Sequence, residues 1–497
     1  MSVNRLAATI VATSLAVSVA ASFAAPALAG QGTDPLVPGE LMLRAETPKA
    51  LGAALAALSA SFTGVGVLQQ IEGRPIYLVS YELNATQVAD DVNLVLDSLV
   101  AQGRLTWAEL NYAGQTGEGR TDSLWLSGLG IGSSQFQGQY AAPLLGLGGA
   151  HATSRGAGVV VAVLDTGIDS SHPALAGGVS PQGVSFVPGS AQWSDVGDGL
   201  DSDGDGLVDE QVGHGTFVAG LIRLVAPDAM LLPVRVLDSD GIANNFQIAR
   251  AVAWSIDRGA HVVNMSLGED YESITIMDVV AEAKSKGVAV VGAAGNRATD
   301  DPKEYPASDA NAIGVTALDW SDARAPFANF GNQLDLAAPG DSIVMGPGAD
   351  LAKAIIGPVP GGGYGVWEGT SFATAFVSGT AALVRAQHPE WPTKTVPRGA
   401  IVDTLLATLV ETGVNTDAQN PGFAGELGGA RISAAAAVAA GPAAPRRGDI
   451  NLDGFVGAPD LAVLLNAWGP VQGASRADLN ASGAIDAQDL AILLSLW

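Results

Sequence analysis

The sequence predicts an α/β protein built on a doubly wound parallel sheet, with a small α+β unit before it and a short helical module after it. Three observations carry this prediction. Between residues 148 and 440, short apolar runs ending in Gly, Asp or Asn alternate with helical stripes. That is the pattern of parallel strands buried on both faces, with helices between them. Between residues 36 and 113 the signals run strand, helix, strand, helix, strand. Between residues 449 and 497 one acidic pattern occurs twice.

The totals bound the rest. The chain has 497 residues, a length typical of about three domains. It is 48% hydrophobic, enough for a sizeable core. With 24 Lys and Arg against 50 Asp and Glu, its formal charge is −26. That balance argues against nucleic acid and anionic membrane surfaces as partners. Cysteine is absent, which rules out disulfides and thiolate metal sites, so cysteine count cannot fix the compartment. The N-terminus can. Residues 1–29 carry Arg5, an apolar run rich in Ala and Ser, and Ala27-Leu28-Ala29. Small residues at the first and third places of that triplet fit signal-peptidase cleavage, and the run is too weakly apolar for an anchor. A secreted protein is expected, with no membrane span after signal removal.

In chain order, "ELMLRA" reads as a strand and Leu51, Ala54, Leu55 and Leu58 share a helix face. "IYLVSYEL" is a strand, Val92, Val95, Leu96, Leu99 and Val100 make a second helical stripe, and "LTWAELNY" closes the unit. With a hairpin strand near "GVGVLQQI", residues 36–113 form a β-α-β-β-α-β, ferredoxin-like unit. Residues 114–147, rich in Gly, Ser and Gln, read as a linker or an extended arm over the next domain. The main domain spans 148–440. Its strand signals are "GVVVAVLD", "LLPVRVLD", "HVVNMSLG", "GVAVVGAAGN" and "AIGVTALD", with helical stripes such as Ala249, Val252, Ala253 and Ile256 between them. Binding sites in such sheets form at the carboxyl ends of the strands. Residues 441–448, "GPAAPRRG", are a linker, and 449–497 form the last module.

The polar residues at those strand ends carry the chemistry. Asp165 ends the strand in "VAVLDTGID". An Asp there is ordinarily a turn residue. His214 lies between glycines at a helix start in "GHGTFVAG", and it is one of five His in the chain. Ser371 opens a run of small residues in "EGTSFATAFVSG", where a lone serine would be read as a helix cap. Asn296 ends "VVGAAGN", where its amide can donate to a developing oxyanion. The order Asp165, His214, Ser371 is one of three unrelated orders in which a serine-protease triad occurs.

Together with "NMSLG" and "DLAAPG", these motifs make residues 148–440 resemble a subtilisin-like serine endopeptidase, a subtilase. The resemblance covers about three-fifths of the chain and keeps the family's motif order. It implies that His214 takes the proton of Ser371, that Asp165 orients and stabilises the imidazolium, and that Ser371 forms an acyl-enzyme. It implies that Asn296 and the Ser371 N–H hold the oxyanion. Ser266-Leu267-Gly268 would pair with the substrate backbone and wall the primary pocket. Ala293-Ala294-Gly295 would form the opposite wall. No catalytic metal is implied. Several positions depart from the family pattern. Ala375 replaces a common Pro, Phe372 and Phe376 replace a common Met and His, Phe217 stands where a second His is frequent, and Glu269 replaces a Gly. Arg297 follows Asn296 and suggests a modest preference for acidic substrate side chains. The unit at 36–113 resembles the family's inhibitory and chaperone propeptides, with the zymogen cut expected after about Tyr112.

Three acidic loops suggest structural calcium. "DSDGDGLVDE" places Asp201, Asp203, Asp205 and Asp209 at positions 1, 3, 5 and 9, with Gly206 at the turn. Val212 stands at position 12, leaving completion to Asp198 or Glu210. The C-terminal repeat places Asp449, Asn451, Asp453 and Asp460 at positions 1, 3, 5 and 12, then Asp478, Asn480, Ser482, Asp486 and Asp489 at 1, 3, 5, 9 and 12. The two loops start 29 residues apart, and each precedes a Leu-x-x-Leu-Leu-x-x-Trp stripe: Leu461, Leu464, Leu465, Trp468 and Leu490, Leu493, Leu494, Trp497. Two calcium loops with one helix each resemble a type I dockerin. The resemblance implies a cohesin-like or cell-surface partner beside protein and peptide substrates. The competing reading is a non-catalytic, calcium-dependent binding or structural protein on a subtilase shell. Retention of Asp165, His214, Ser371 and Asn296 together favours the enzyme.

Overall fold

The computed structural model describes residues 36–121, 126, 130–342, 350–394, 396–440, 448, 450, 456, 458–470, 477–480, 482 and 484–496. The signal-peptide reading lies outside these residues. So do Asp449, Asn451 and Asp453.

The first unit is a four-stranded antiparallel sheet of β1 (Leu36–Arg44), β2 (Thr63–Gln70), β3 (Ile76–Glu82) and β4 (Trp107–Gln115). Its order is β2-β3-β1-β4, as the ferredoxin-like reading requires. Strand alternation divides its side chains. Leu41, Leu43 and Val79 pack under helices Pro48–Ser59 and Ala89–Ala101. Met42, Ile76, Leu78 and Trp107 point the other way, into the main core.

The main sheet contains β5 (Val160–Asp165), β6 (Val184–Ser185), β7 (Met230–Arg235), β9 (Val262–Met265), β10 (Ala289–Ala293), β11 (Ile313–Leu318), β12 (Leu336–Pro339) and β15 (Ala430–Arg431). Its order is β15-β12-β11-β10-β9-β5-β7-β6, with parallel pairing throughout. Strand order reverses at β5, whose neighbours are β7 and β9. This is the α/β fold the sequence predicts. Both sheet faces are covered, as the unbroken apolar runs demand. Val161 and Val163 face helices His214–Val225 and Thr370–Ala386, while Ala162 and Leu164 face helices Asn245–Asp257 and Ile274–Ser285.

Three shorter strands complete this region: β8 (Ile242–Asn244), and the hairpin β13 (Ile355–Val359) with β14 (Gly363–Trp367). β4 continues past the first unit and pairs antiparallel with β8. Residues 114–147, read as a linker or an extended arm, begin as such an arm, and helices Ser133–Gly138 and Ala141–Leu145, which composition did not reveal, occupy their second half. Phe136, Ala141, Leu145 and Leu147 are buried in the main core. The apolar residues there are too few per turn for periodicity to reveal them.

The C-terminal module has helices Ala458–Asn466 and Ala487–Leu496 and the short pair β16 (Gly469–Pro470) and β17 (Ala484–Ile485). Its core is small: Ile450, Leu464, Ala477, Ile485 and Leu493. Leu461 and Leu490 pack against it, while Leu465, Trp468 and Leu494 of the two stripes are about half exposed. Trp497 is outside the described residues. No helix among the described residues is long and apolar enough to cross a membrane.

Candidate active site

Asp165 is the last residue of β5, and His214 and Ser371 lie in the first turns of the two helices packed beneath the sheet. Ser266 and Asn296 follow the ends of β9 and β10. Each motif is local, but only the parallel sheet gathers their ends at one edge.

His214 Nδ1 lies 2.7 Å from Asp165 Oδ1, and both residues are fully buried. Asp165 Oδ1 also accepts the Thr166 N–H at 2.8 Å. Gly215 follows His214 because a Cβ there would lie 2.1 Å from Gly167 O. Asp195 holds the start of the His214 helix. It accepts the N–H groups of Gly213 (2.9 Å) and Thr216 (3.0 Å) and the hydroxyls of Thr166 and Thr216. A carboxylate suits those unpaired N–H groups at a helix start. Burial nevertheless raises its pKa. Asp195 carries no motif, and its role is invisible until the chain folds.

Asn296 is oriented by its neighbour across the cleft. Its Oδ1 accepts both the N–H and the hydroxyl of Thr370 at 2.9 Å, which turns Nδ2 toward Ser371. Ser266 Oγ donates to Ser371 O at 2.8 Å, and Ser371 Oγ is 3.2 Å from Ser266 O. Ser266, Leu267, Ala293, Ala294 and Asn296 are all buried. Asn329 supports the second wall, with its N–H on Gly295 O at 2.9 Å and Nδ2 on Ala294 O at 2.8 Å.

Two of the family departures turn out to be neighbours. Phe217 and Phe372 have ring centroids 4.6 Å apart, and Trp367 stands edge-on to His214 at 5.3 Å. Phe372 is 5.6 Å from the imidazole. Phe217 and Phe372, with Trp367, thus form one aromatic packing beside His214.

Glu118 occupies the centre of the site. Its Oε2 accepts from Ser371 Oγ at 2.7 Å and lies 3.2 Å from His214 Nε2, while Oε1 accepts from Asn296 Nδ2 at 3.0 Å. Among the described residues Ser371 and His214 make no direct hydrogen bond; the carboxylate bridges them. Gly369 makes room for it, since a Cβ there would lie 1.7 Å from Glu118 Oε1. Burial opposes the charges of both partners. For His214 the charge of Asp165 and hydrogen bonds to Asp165 and Glu118 outweigh burial and push the pKa up to about 10. For Glu118 burial is outweighed by the hydrogen bond and charge of His214, with help from Ser371 and Asn296, and its pKa falls. Each partner thus favours the charged form of the other.

Glu118 arrives on a segment lying across the cleft. Ala113, Gly114 and Gln115 pair antiparallel with Asn244, Ala243 and Ile242. Gln115 also pairs with Gly268 on the other side, and the Thr116 N–H donates to Gly241 O at 3.1 Å. Sequence reasoning missed Glu118 entirely, because it sits in a Gly-rich stretch without a motif.

Arg297 does not stand free in the pocket. Its guanidinium is held by Asp270 and, at 3.0 Å, by Glu304. The acidic preference inferred from its sequence position therefore loses its basis: the charge is already matched.

The first acidic loop gathers Asp201, Asp203 and Asp205, whose carboxylate oxygens lie within 4.8 Å of one another. Asp209 turns instead to the N–H groups of Asp198 (2.8 Å) and Gly199 (3.1 Å). Glu210 Oε2 is buried without a hydrogen-bond partner, and burial together with Asp240 and Asp203 pushes its pKa up to about 8. In the C-terminal module Asp460 and Asp489 are fully buried. Asp460 Oδ1 accepts the Ile450 N–H at 2.6 Å. Asp489 accepts the N–H groups of Leu479, Asn480 and Asp486 at 2.7, 3.1 and 2.9 Å. Asp478 and Asn480 both accept the Ser482 N–H at 2.9 Å.

Comparison with known proteins bears on the family and the fold. The Subtilase family matches residues 156–429, and the Dockerin type I domain matches residues 447–495. Subtilisin NAT of Bacillus subtilis subsp. natto is 38% identical over 248 residues, 48% of this chain and 58% of that protein. The chain thus spans less than two-thirds of the length of that relative. Subtilisin BL of Lederbergia lenta is 40% identical over 245 residues, 48% of this chain and 79% of that one. A protease structure from Pseudoalteromonas arctica matches with a TM-score of 0.52 at 28% identity, covering 62% of this chain and 98% of its own. Fervidolysin from Fervidobacterium pennivorans shares the fold, with a TM-score of 0.59 at 21% identity over 83% of this chain and 64% of its own. This chain, with a type I dockerin domain at its C-terminal end, belongs to the subtilase family.

Proposed function

We propose that this chain is a secreted serine endopeptidase made as a zymogen, with residues 36–113 as its propeptide and the C-terminal module as a tether. One observation carries the reading. Ser371 Oγ, His214 Nε2 and Asn296 Nδ2 converge on one carboxylate, that of Glu118. Groups that converge on a negative oxygen there can do the same for a tetrahedral intermediate.

Once Glu118 withdraws, His214 Nε2 takes the Ser371 proton as Oγ attacks a peptide carbonyl. Asp165 holds the imidazolium through Nδ1. The oxyanion rests on Asn296 Nδ2 and the Ser371 N–H at a helix start whose dipole favours negative charge. The C–N bond then breaks, His214 gives the proton to the leaving amine, and an acyl-enzyme remains. Water activated by His214 releases the acid and restores Ser371. Substrate backbone would run where residues 113–116 lie, between β8 and Ser266-Leu267-Gly268. Gln115 and Glu118 bring the span 117–121 to the reacting atoms, so the processing cut is expected there, beyond Tyr112.

The donor sets fit calcium. They are oxygen-only, and the buried, partnerless Glu210 oxygen beside the Asp201–Asp203–Asp205 cluster leaves room for a cation. Asp201, Asp203 and Asp205 would hold it in the first loop. Asp478, Asn480, Ser482, Asp486 and Asp489, with Asp460 from the first repeat, would serve the C-terminal module. Its role would be structural: to fix the loop preceding His214 and to hold the module. The dockerin domain supports a cohesin-like partner at a cell surface.

The test is the intact mass and N-terminal sequence of the purified protein beside Ser371→Ala, both with calcium. The wild type should lose residues up to a point within 117–121, while Ser371→Ala keeps them. Loss in both would place processing with another protease. Retention in both, with no hydrolysis of peptides, would sink the endopeptidase reading.

A further inference from the structure

The walls of the primary pocket meet a buried acidic floor. A Cβ on Gly268 would lie 2.7 Å from Glu304 Oε1, and a Cβ on Gly295 would lie 2.9 Å from Glu304 Oε2. Glu304 therefore fills the space between the two walls, and its side chain is only 2% exposed. Asp270, two residues past Gly268, is 3% exposed. Two buried carboxylates in one pocket need positive charge nearby. Arg297 supplies part of it from the protein wall.

The rest comes from the segment lying in the cleft. Arg120 folds back so that Nη2 donates to Gly268 O at 3.1 Å and Nη1 meets Asp270 Oδ1 at 3.3 Å. Arg120 is two residues beyond Glu118, on the stretch proposed to be cut. A guanidinium belonging to the substrate-like segment thus already sits against the pocket wall.

We propose that the primary pocket selects a basic side chain, with Asp270 and Glu304 as the specificity-determining residues and Arg120 as its resident stand-in. Release of the segment takes the Arg120 guanidinium away from Asp270. An Arg or Lys of a substrate replaces it and restores the charge balance. A glutamate side chain would add a third carboxylate, and a leucine would leave the seat of Arg120 unfilled. The inference rests on the endopeptidase reading and opposes the acidic preference that Arg297 suggested.

The processed enzyme, assayed with peptide amides that differ only at the residue before the cut, tests it. Arg should exceed Leu in kcat/KM by about tenfold or more, and Glu should be the poorest. Asp270→Asn should lower the Arg-to-Leu ratio by about tenfold, the loss falling on Arg. The ratio uses Leu hydrolysis as its internal measure of folded enzyme. Efficient cleavage after Leu or Glu with no gain for Arg in the wild type overturns this inference and leaves the endopeptidase intact. Cleavage of none of the peptides overturns the endopeptidase reading and this inference with it.

Discussion

The N-terminal unit and the C-terminal module are held by different physics. The N-terminal unit buries Met42, Ile76, Leu78 and Trp107 in the core shared with helices Asn245–Asp257 and Ile274–Ser285. Charged contacts surround that apolar patch. Arg74 meets Asp257 and Glu282 at 2.8 and 2.7 Å, and Arg44 meets Asp278 at 2.6 Å. Glu109 accepts the Ile274 and Thr275 N–H groups and the Ser273 hydroxyl, closing a helix start. Among the described residues, the C-terminal module instead rests on the small core of Ile450, Leu464, Ala477, Ile485 and Leu493 and on carboxylates that gather its loop backbone. A unit of fewer than 50 residues with so thin a core needs outside stabilisation. The comparison teaches that one flank is held by surface burial and the other by charge at loops, so each should fail under a different challenge.

Chelation should break the comparison most strongly. Removing calcium with EGTA should unfold the C-terminal module and raise its cleavage by an added protease by at least about tenfold, because ion binding is part of its folding free energy. The N-terminal unit should stay docked. Equal sensitivity of both flanks in a limited-proteolysis time course would abolish the distinction.

Glu109→Ala should have a smaller effect, confined to the other flank. It leaves helix N–H groups unsatisfied at a buried interface, a cost of about 1–3 kcal/mol. In a Ser371→Ala background, which keeps the chain uncut, the thermal midpoint should fall by several degrees with EGTA sensitivity unchanged. An unchanged midpoint would remove Glu109 from the docking interface.

The smallest effect is a pH dependence of the Glu118 latch. The His214 pKa is about 10 with Glu118 in place, above its ordinary 6.5. Stabilisation of the latch is therefore complete below about pH 6.5 and is lost as pH rises toward 10. In Ser371→Ala, cleavage of residues 113–121 by an added protease, corrected for that protease's own pH profile, should rise across this window. In the double variant with Glu118→Ala the rise should flatten. A flat profile in the parent would show that the imidazolium does not hold the segment.

Legibility in the sequence followed locality. Asp165, His214, Asn296 and Ser371 were readable because each ends a buried strand or opens a helix within a short motif, and close packing there dictates the neighbouring small residues. Gly215 beside His214 and Gly369 before Ser371 are examples. The repeat of acidic loops was readable for the same reason, since loop geometry sets ligand spacing. Arg297 was misread because Asp270, 27 residues earlier, and Glu304, on the loop that follows, fold onto its guanidinium, and its place beside Asn296 does not show this. The leucine–tryptophan stripes were readable in part: Leu464 and Leu493 share one core with Leu461 and Leu490 packed against it, while Leu465, Trp468 and Leu494 stay about half exposed.

The sequence by itself determined the doubly wound sheet and most of its strand and helix order, and it singled out Asp165, His214, Asn296 and Ser371 and the spacing of the acidic loops, because each follows from side-chain period or from spacing along a few residues. Only the tertiary structure decided that Glu118 bridges Ser371 and His214, that Arg120 rests against Gly268 and Asp270, and that Asp195 anchors the His214 helix. Those are contacts between segments far apart in the chain, brought together by burial of the sheet's two faces, and no local pattern encodes which of 50 carboxylates will meet which cation once water is excluded.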